Sequence, residues 1–148
     1  MSAAVGPHVT RALLPFELGG HLLAIDAGIV TEVNGPREWV AIPRAPATIP
    51  GALAWRGRAL AVIDLGIALQ LEPLAAPRSR SRNLIVQLSD DTVVLTVDRV
   101  REARPATALA PVHAAELGLP GLGELEIDGR MALVIDLEAW LQTVRGTA

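Results

Sequence analysis

The feature that most constrains this chain is an internal repeat. Residues 57–65 read GRALAVIDL and residues 129–137 read GRMALVIDL, so six of nine positions match at a separation of 72. A second match, at a separation of 70, places residues 16–33 over residues 86–103, each with two apolar runs around a polar turn. Because the two matches occur in the same order, we interpret the chain as a duplicated unit of about 70 residues.

Each repeat is predicted to consist mainly of strands, in the order hairpin, loop, hairpin and short helix. The apolar runs are rich in Val, Ile and Thr, which favour strands. Dipeptides typical of tight turns separate several of the runs: Gly19-Gly20, Arg56-Gly57 and Asp128-Gly129. Two-residue loops of this composition predict β-hairpins.

A helical stretch is expected after each VIDL block, in LGIALQL and in LEAWLQTV. Asp64 and Asp136 precede these stretches and are suited to be N-caps, because an aspartate oxygen accepts a hydrogen bond from a free amide of the first turn. The alternative is that a pseudo-two-fold axis brings the two aspartates together as a carboxylate pair.

A Pro- and Arg/Ser-rich segment, EPLAAPRSRSR at residues 72–82, separates the repeats and predicts an exposed, mobile linker. The alternative for the last residue, Arg82, is that it belongs to the next strand and not to the linker. The arginine run could also contact phosphate, although a solvated linker is the simpler interpretation.

The composition argues against most enzyme chemistry. The chain has no Cys, its thirteen basic residues are all Arg, and its three His do not form an HExxH motif. No Ser lies in a GxSxG motif. We therefore expect no catalytic residue, metal or cofactor.

The net charge of −3 argues against a nucleic-acid partner. The N-terminus lacks a basic region followed by an apolar run, and the most apolar stretch, residues 59–71, contains Asp64 and is too short to span a bilayer. These features predict a cytoplasmic protein.

The chain contains four blocks in this order: FxLGxxxxAIDxxxVxEV, IPGALAWRGRALAVIDL, TVVLTVDRVREA and GLGELEIDGRMALVIDLEAWL. Together they resemble the CheW-like domain family. The resemblance covers residues 14–144. Arg56-Gly57, followed by a strand and Asp64, is similar to the family's most specific block. The sequence departs from it at Ala54, where the family usually has Asn, and at Ala61, where it usually has Pro.

The resemblance implies an all-β fold of two five-stranded, SH3-like barrels in a pseudo-two-fold relation, with short helices at the ends of the units. Residues 1–148 would form a single CheW-like domain. Barrel one would span about residues 14–71 and barrel two about residues 83–144, with the linker at residues 72–82 between them.

The resemblance also implies a non-enzymatic adaptor in bacterial chemotaxis. Its partners would be the cytoplasmic tip of a chemoreceptor, of the methyl-accepting type, and the regulatory domain of a CheA-type histidine kinase, with no direct membrane insertion. Two alternatives stay open at this point. One is an adaptor in a pilus-motility or second-messenger array, and the other is a small enzyme on an SH3-like scaffold.

By the same resemblance, seven residues are expected to bind partners: Val30, Glu32, Gly51, Arg56, Gly57, Arg82 and Asn83. The family usually has apolar residues at the last two positions. The resemblance pairs Glu32 with Arg56, so we expect an ion pair between these two side chains, with N and O no more than ~4 Å apart. The pair is expected to be partly buried near the barrel junction, the alternative being that both side chains point separately to solvent.

Overall fold

The computed structural model describes residues 11–74, 76–106, 108–112 and 118–146. Strands dominate this part of the chain, and one α-helix lies near its end. The elements are β1 (Arg11–Leu18), β2 (His21–Asp26), β3 (Val30–Asn34), β4 (Gly51–Trp55), β5 (Arg58–Ile63), β6 (Arg82–Gln87), β7 (Thr92–Val97), β8 (Arg99–Val100), β9 (Arg104–Ala106), β10 (Gly121–Ile127), β11 (Arg130–Ile135) and α1 (Leu137–Gly146).

The strands form two sheets whose orders correspond. One sheet runs β10-β11-β2-β1-β8, with β9 also pairing with β1, and the other runs β4-β5-β7-β6-β3. Exchanging the strands of one repeat for their counterparts in the other converts one order into the other. The central pairs, β11 with β2 and β5 with β7, are parallel, whereas the hairpin pairs are antiparallel. The all-β fold and the duplication are thereby confirmed.

The sheets do not follow the predicted division at residues 72–82. Each sheet combines the first hairpin of one repeat with the second hairpin of the other, so neither repeat forms a sheet of its own. The assignment of one barrel to residues 14–71 and the other to residues 83–144 is wrong in this respect. Duplication explains the exchange, because equivalent hairpins present equivalent edges and either repeat can supply the neighbouring strand.

Two-residue turns close three of the hairpins as predicted. Both residues have positive φ in Gly19-Gly20 (56° and 84°), in Arg56-Gly57 (47° and 76°) and in Asp128-Gly129 (49° and 81°). This is the type I′ geometry, whose twist matches that of the flanking strands.

The two predicted helical stretches differ in length. After β11 the chain forms the α-helix, but after β5 it forms only a 3-10 turn at Leu65–Ile67. Gln70 has a φ of 61°, and the amide of Leu71 bonds to the carbonyl of Gly66 at 2.9 Å. A left-handed residue followed by such a bond ends a helix, so the first stretch stops after about one turn.

The linker is better anchored than the sequence indicates. The guanidinium of Arg78 lies 2.7 Å from the carboxylate of Asp98, and the Ser81 hydroxyl donates to the carbonyl of Arg78 at 2.8 Å. Ser81 itself is buried. The strand that follows begins at Arg82, as considered above, so only part of the segment is exposed.

Both faces of each sheet are covered. The largest core cluster lies between the sheets and combines Phe16 of β1, Leu84 of β6, Leu95 of β7 and Trp140 of α1. The opposite face of the five-stranded sheet holds a second cluster, against which Trp39 and Trp55 pack, and the other sheet has two smaller clusters. This burial explains why residues 84–86 of β6 and 93–95 of β7 are continuously apolar instead of alternating.

Candidate interaction site

The predicted ion pair is present. The Arg56 Nη2 donates to the Glu32 Oε1 at 2.8 Å. Glu32 lies on β3 and Arg56 follows β4, and these strands are the two edges of the five-stranded sheet. The pair therefore connects the edges where no backbone ladder joins them, and we call it the first clasp.

The first clasp is more exposed than expected. The Arg56 side chain is 66% exposed and that of Glu32 is 30% exposed, so the prediction of a partly buried pair is wrong for the arginine. The Arg56 guanidinium also lies over the ring of Trp55, 4.6 Å from its centroid. A surface pair of this kind contributes little to stability, but two contacts together hold the guanidinium in one orientation.

The turn explains why the arginine is presented in this way. Arg56 occupies the left-handed region, which disfavours side chains with a Cβ, and Gly57 beside it adopts the same region without a penalty. This turn places Arg56 at the tip of the hairpin and directs its guanidinium back toward the opposite sheet edge. Sequence reasoning located the residue but gave no indication of its positive φ.

The carboxylate of Glu32 is stabilised in its ionised form. The Asn34 side chain lowers the pKa of Glu32 below its ordinary value, and the side chains of Trp55 and Arg56 act in the same direction against the effect of desolvation. The first clasp therefore carries both charges at neutral pH.

Asp64 and Asp136 act as caps and not as a carboxylate pair. Asp64 is 2% exposed and accepts hydrogen bonds from the amides of Gly66 at 3.0 Å and Leu74 at 2.9 Å. Asp136 accepts one, from the amide of Ala139 at 3.0 Å. Burial raises the pKa of Asp64 above its ordinary value, although the two amides favour the ionised form.

Removing Asp64 and removing Glu32 are expected to change the pH dependence of the free energy of unfolding in opposite directions. The raised pKa of Asp64 means that the pH-dependent part of its contribution is greatest in acid and is lost as the pH rises through the folded pKa, whereas the two hydrogen bonds to its carboxylate remain at neutral pH. The lowered pKa of Glu32 means that its contribution is present above the unfolded pKa and is lost as the pH falls through the folded pKa. Urea unfolding of the wild type, Asp64→Ala and Glu32→Ala between about pH 3 and 7 measures both differences. Parallel slopes for the two differences would contradict this assignment.

The structure places all seven predicted partner residues on the five-stranded sheet or its turns, but not all on the surface. Gly51 and Asn83 are buried, and the Asn83 side chain bonds to the carbonyl of Gly35 at 3.1 Å and to the Thr96 hydroxyl at 2.8 Å. Val30 is half-buried against the main core. Buried residues of this kind can shape a partner surface but cannot contact a partner directly.

Arg82 is exposed, but its side chain is turned toward the preceding segment. Its Nη1 donates to the carbonyl of Ser81 at 3.0 Å and more weakly to that of Arg80 at 3.4 Å. Among the seven residues, the exposed charge is therefore supplied by the first clasp and by Arg82. Gly57 is exposed beside the clasp.

Sequence reasoning missed a second pair at the corresponding place in the other sheet. The Arg101 Nη2 lies 3.9 Å from the Asp128 carboxylate, and the Arg101 Nε lies 3.6 Å from that of Glu17. Asp128 occupies the position that matches Arg56 in the repeat. We call the Arg101–Asp128 pair the second clasp. The repeat alignment does not predict this pair, because it matches Glu32 with Glu102 and not with Arg101.

Fold and site together define a class of protein: an all-β domain built from a duplicated unit with exchanged hairpins, which holds a fixed charge pair on its surface. No helix in the described part of the chain has the length and hydropathy needed to cross a membrane.

Comparisons with known proteins give the family. The model of the CheW-like domain matches residues 12–145, and the chain belongs to this family. It is 31% identical over 134 residues to the probable chemotaxis protein CheW of Rhizobium etli, covering 87% of this chain and 86% of that protein. It is 26% identical over 137 residues to the chemotaxis protein CheW of Rhizobium meliloti, with the same coverage of 87% and 86%.

A solved structure supports the same assignment. The crystal structure of the scaffolding protein TtCheW from Thermoanaerobacter tengcongensis matches with a TM-score of 0.76 and 26% identity. The match covers 87% of this chain and 86% of that one. The chain is thus a CheW-like adaptor with the SH3-like β fold of its family.

Proposed function

We propose that this protein is a non-enzymatic scaffold that couples chemoreceptors to a CheA-type histidine kinase in chemotaxis. The observation that carries the proposal is the family match, which runs from residue 12 to residue 145 and so includes both sheets. The relatives named above are chemotaxis proteins, and the solved relative is described as a scaffolding protein.

The first clasp is the part of the surface that we assign to partner binding. Arg56 is exposed yet held by Glu32 and by the ring of Trp55, so a partner that contacts it loses little additional side-chain entropy. Arginine next to an aromatic side chain is a typical composition of interface hot spots.

Apolar side chains are exposed on the segments that flank the first clasp. Val33 on β3 is exposed, and so are Val40 and Ile42 in the loop that leads to β4. Val40 is bridged to Ala52 of β4 through two backbone hydrogen bonds of 2.8 and 2.9 Å, which hold this loop against the sheet edge. An apolar surface around a fixed charge pair is suited to a protein partner.

Co-purification from the native cell tests the function itself. We expect a CheA-type kinase and a chemoreceptor to be retained by the tagged protein. Recovery of neither partner from cells that express both would overturn the proposal.

Charge reversal at Arg56 tests the assigned surface. We expect Arg56→Glu to weaken binding of the kinase regulatory domain by about tenfold or more, because the fixed guanidinium is replaced by a carboxylate facing Glu32. Arg11→Glu, an equal change of charge at an exposed position on the other sheet, is the control and should bind normally. Unchanged binding by a folded Arg56→Glu variant would remove this residue from the site.

A double-mutant cycle on Glu32→Ala and Arg56→Ala separates the two roles of the first clasp. Because the pair is largely exposed, we expect strong coupling in the binding measurement and little coupling in stability. Additive effects on binding would contradict a joint role for the pair.

A further inference from the structure

A polar cavity lies beside the second clasp, on the sheet opposite to the proposed partner surface. Its volume is about 550 Å3. Its lining consists of Pro15, residues 99–105, Ile127 and Asp128. This volume is within the range of sites that bind small molecules.

Pro15 explains why the cavity exists. The amide of Arg101 donates to the carbonyl of Pro15 at 2.9 Å, so this carbonyl points to the side of β1 that carries β8 and β9, while Ala24 of β2 lies beside Pro15 on the other side. Proline has no N–H to return a hydrogen bond, and the ladder is interrupted between Val100 and Arg104. The intervening segment leaves the sheet edge and forms one wall of the cavity.

The cavity concentrates positive charge in a protein whose net charge is negative. Arg99, Arg101 and Arg104 line it, against the acidic residues Glu102 and Asp128. Within the described part of the chain, Arg99 and Arg104 have no ion pair. The formal charge of the lining is therefore +1.

The guanidinium of Arg101 has a nitrogen whose hydrogen-bonding capacity is unused among the described residues. Its Nη1 is shielded from solvent and has no hydrogen-bond partner among the described residues. Its contacts with Glu17 at 3.6 Å and Asp128 at 3.9 Å are longer than good hydrogen bonds. A shielded guanidinium nitrogen without an acceptor is costly, so an oxygen ligand at this position would be stabilising.

We propose that this cavity binds an oxyanion, namely the phosphate or carboxylate group of a small molecule. The planar guanidinium of Arg101 matches such groups geometrically, and its contacts with Glu17 and Asp128 restrict its orientation. Arg99 and Arg104 supply the remaining positive charge. The two acids in the lining favour a single anionic group over a polyphosphate, because a net charge of +1 neutralises only a small anion.

Titrations with inorganic phosphate and with acetate, each at constant ionic strength, test the proposal and show whether the cavity prefers a phosphate or a carboxylate group. We expect saturable amide chemical-shift changes confined to residues around the cavity, with one of the two anions binding in the millimolar range. Arg101→Gln should weaken that binding by about tenfold, and Arg80→Gln, the same substitution at an exposed linker position outside the cavity, should leave it unchanged.

Because Arg101 also contacts Glu17, the double variant Arg99→Gln/Arg104→Gln provides a second test that leaves this contact intact. It should weaken anion binding while the thermal unfolding transition stays in place. Three results would overturn the proposal: no saturable change with either anion, an equal response to chloride, or a response to an oligoglutamate peptide alone. The last result would assign the cavity to an acidic protein segment.

Discussion

Replacing Gly51 by alanine is expected to lower the free energy of unfolding by about 2 kcal/mol, because the added methyl overpacks a closed site. A Cβ at this position would lie 2.5 Å from the carbonyl oxygen of Val40 and would overlap the ring of Trp39. That carbonyl accepts a hydrogen bond from the amide of Ala52 at 2.9 Å, so it cannot move without breaking the bridge between the loop and β4. Urea unfolding measures the loss, and Trp39 fluorescence reports the displacement of the loop.

Gly35→Ala is the matched control for this prediction. Gly35 follows β3, at the start of the loop that ends at Gly51, and a Cβ there would meet nothing within 4 Å. We expect the control to change stability by less than about 0.5 kcal/mol. Equal losses for the two variants would show that close packing at Gly51 is not the cause. The Gly51→Ala variant should also weaken kinase binding, since the loop carries the exposed Val40 and Ile42.

Replacing Asp64 by alanine is expected to cost about 2–3 kcal/mol at neutral pH, through the loss of two hydrogen bonds to one carboxylate. The amides of Gly66 and Leu74 would lose their acceptor in a site that is closed to water. Leu74 belongs to the segment that leads out of the first repeat, so its amide should also show faster hydrogen exchange.

The repeat provides the control, because Asp136 occupies the equivalent position. Its carboxylate accepts a single hydrogen bond, from the amide of Ala139, and it is only half-buried. Asp136→Ala should therefore cost about 1 kcal/mol, the usual value for an N-cap. A larger loss at Asp136 than at Asp64 would contradict the view that burial and the second hydrogen bond set the difference.

Both acids were predicted from the sequence as caps, and the structure confirms this because capping is a local property. An aspartate before a turn needs only its own next few amides, which the chain supplies at fixed spacing. The same reasoning applies to the tight turns at Arg56-Gly57 and Asp128-Gly129. Their two-residue length and their composition specify the hairpins without reference to the remaining chain.

The candidate site was predictable only in part. Glu32 and Arg56 were paired through the resemblance to a family, and their contact is confirmed at 2.8 Å. Their exposure was predicted incorrectly, because burial depends on what packs nearby and not on the apolar residues adjacent in sequence. The buried hydrogen bonds of Asn83 to Gly35 and Thr96 were equally unpredictable from the sequence, since they join three separate segments of the chain.

The sequence by itself determined the duplication, the order of hairpin, loop, hairpin and helix, and the turns and caps, since each depends on neighbours along the chain. Only the tertiary structure decided which hairpins pair. The open edges of β2 and β5 are equally suited to either repeat, and the parallel pairs β11 with β2 and β5 with β7 are contacts between segments distant in sequence. The physical reason is that the backbone N–H and C=O groups of a strand edge are the same whatever strand pairs with them. The choice of partner strand therefore depends on burying both faces of each sheet around a shared core.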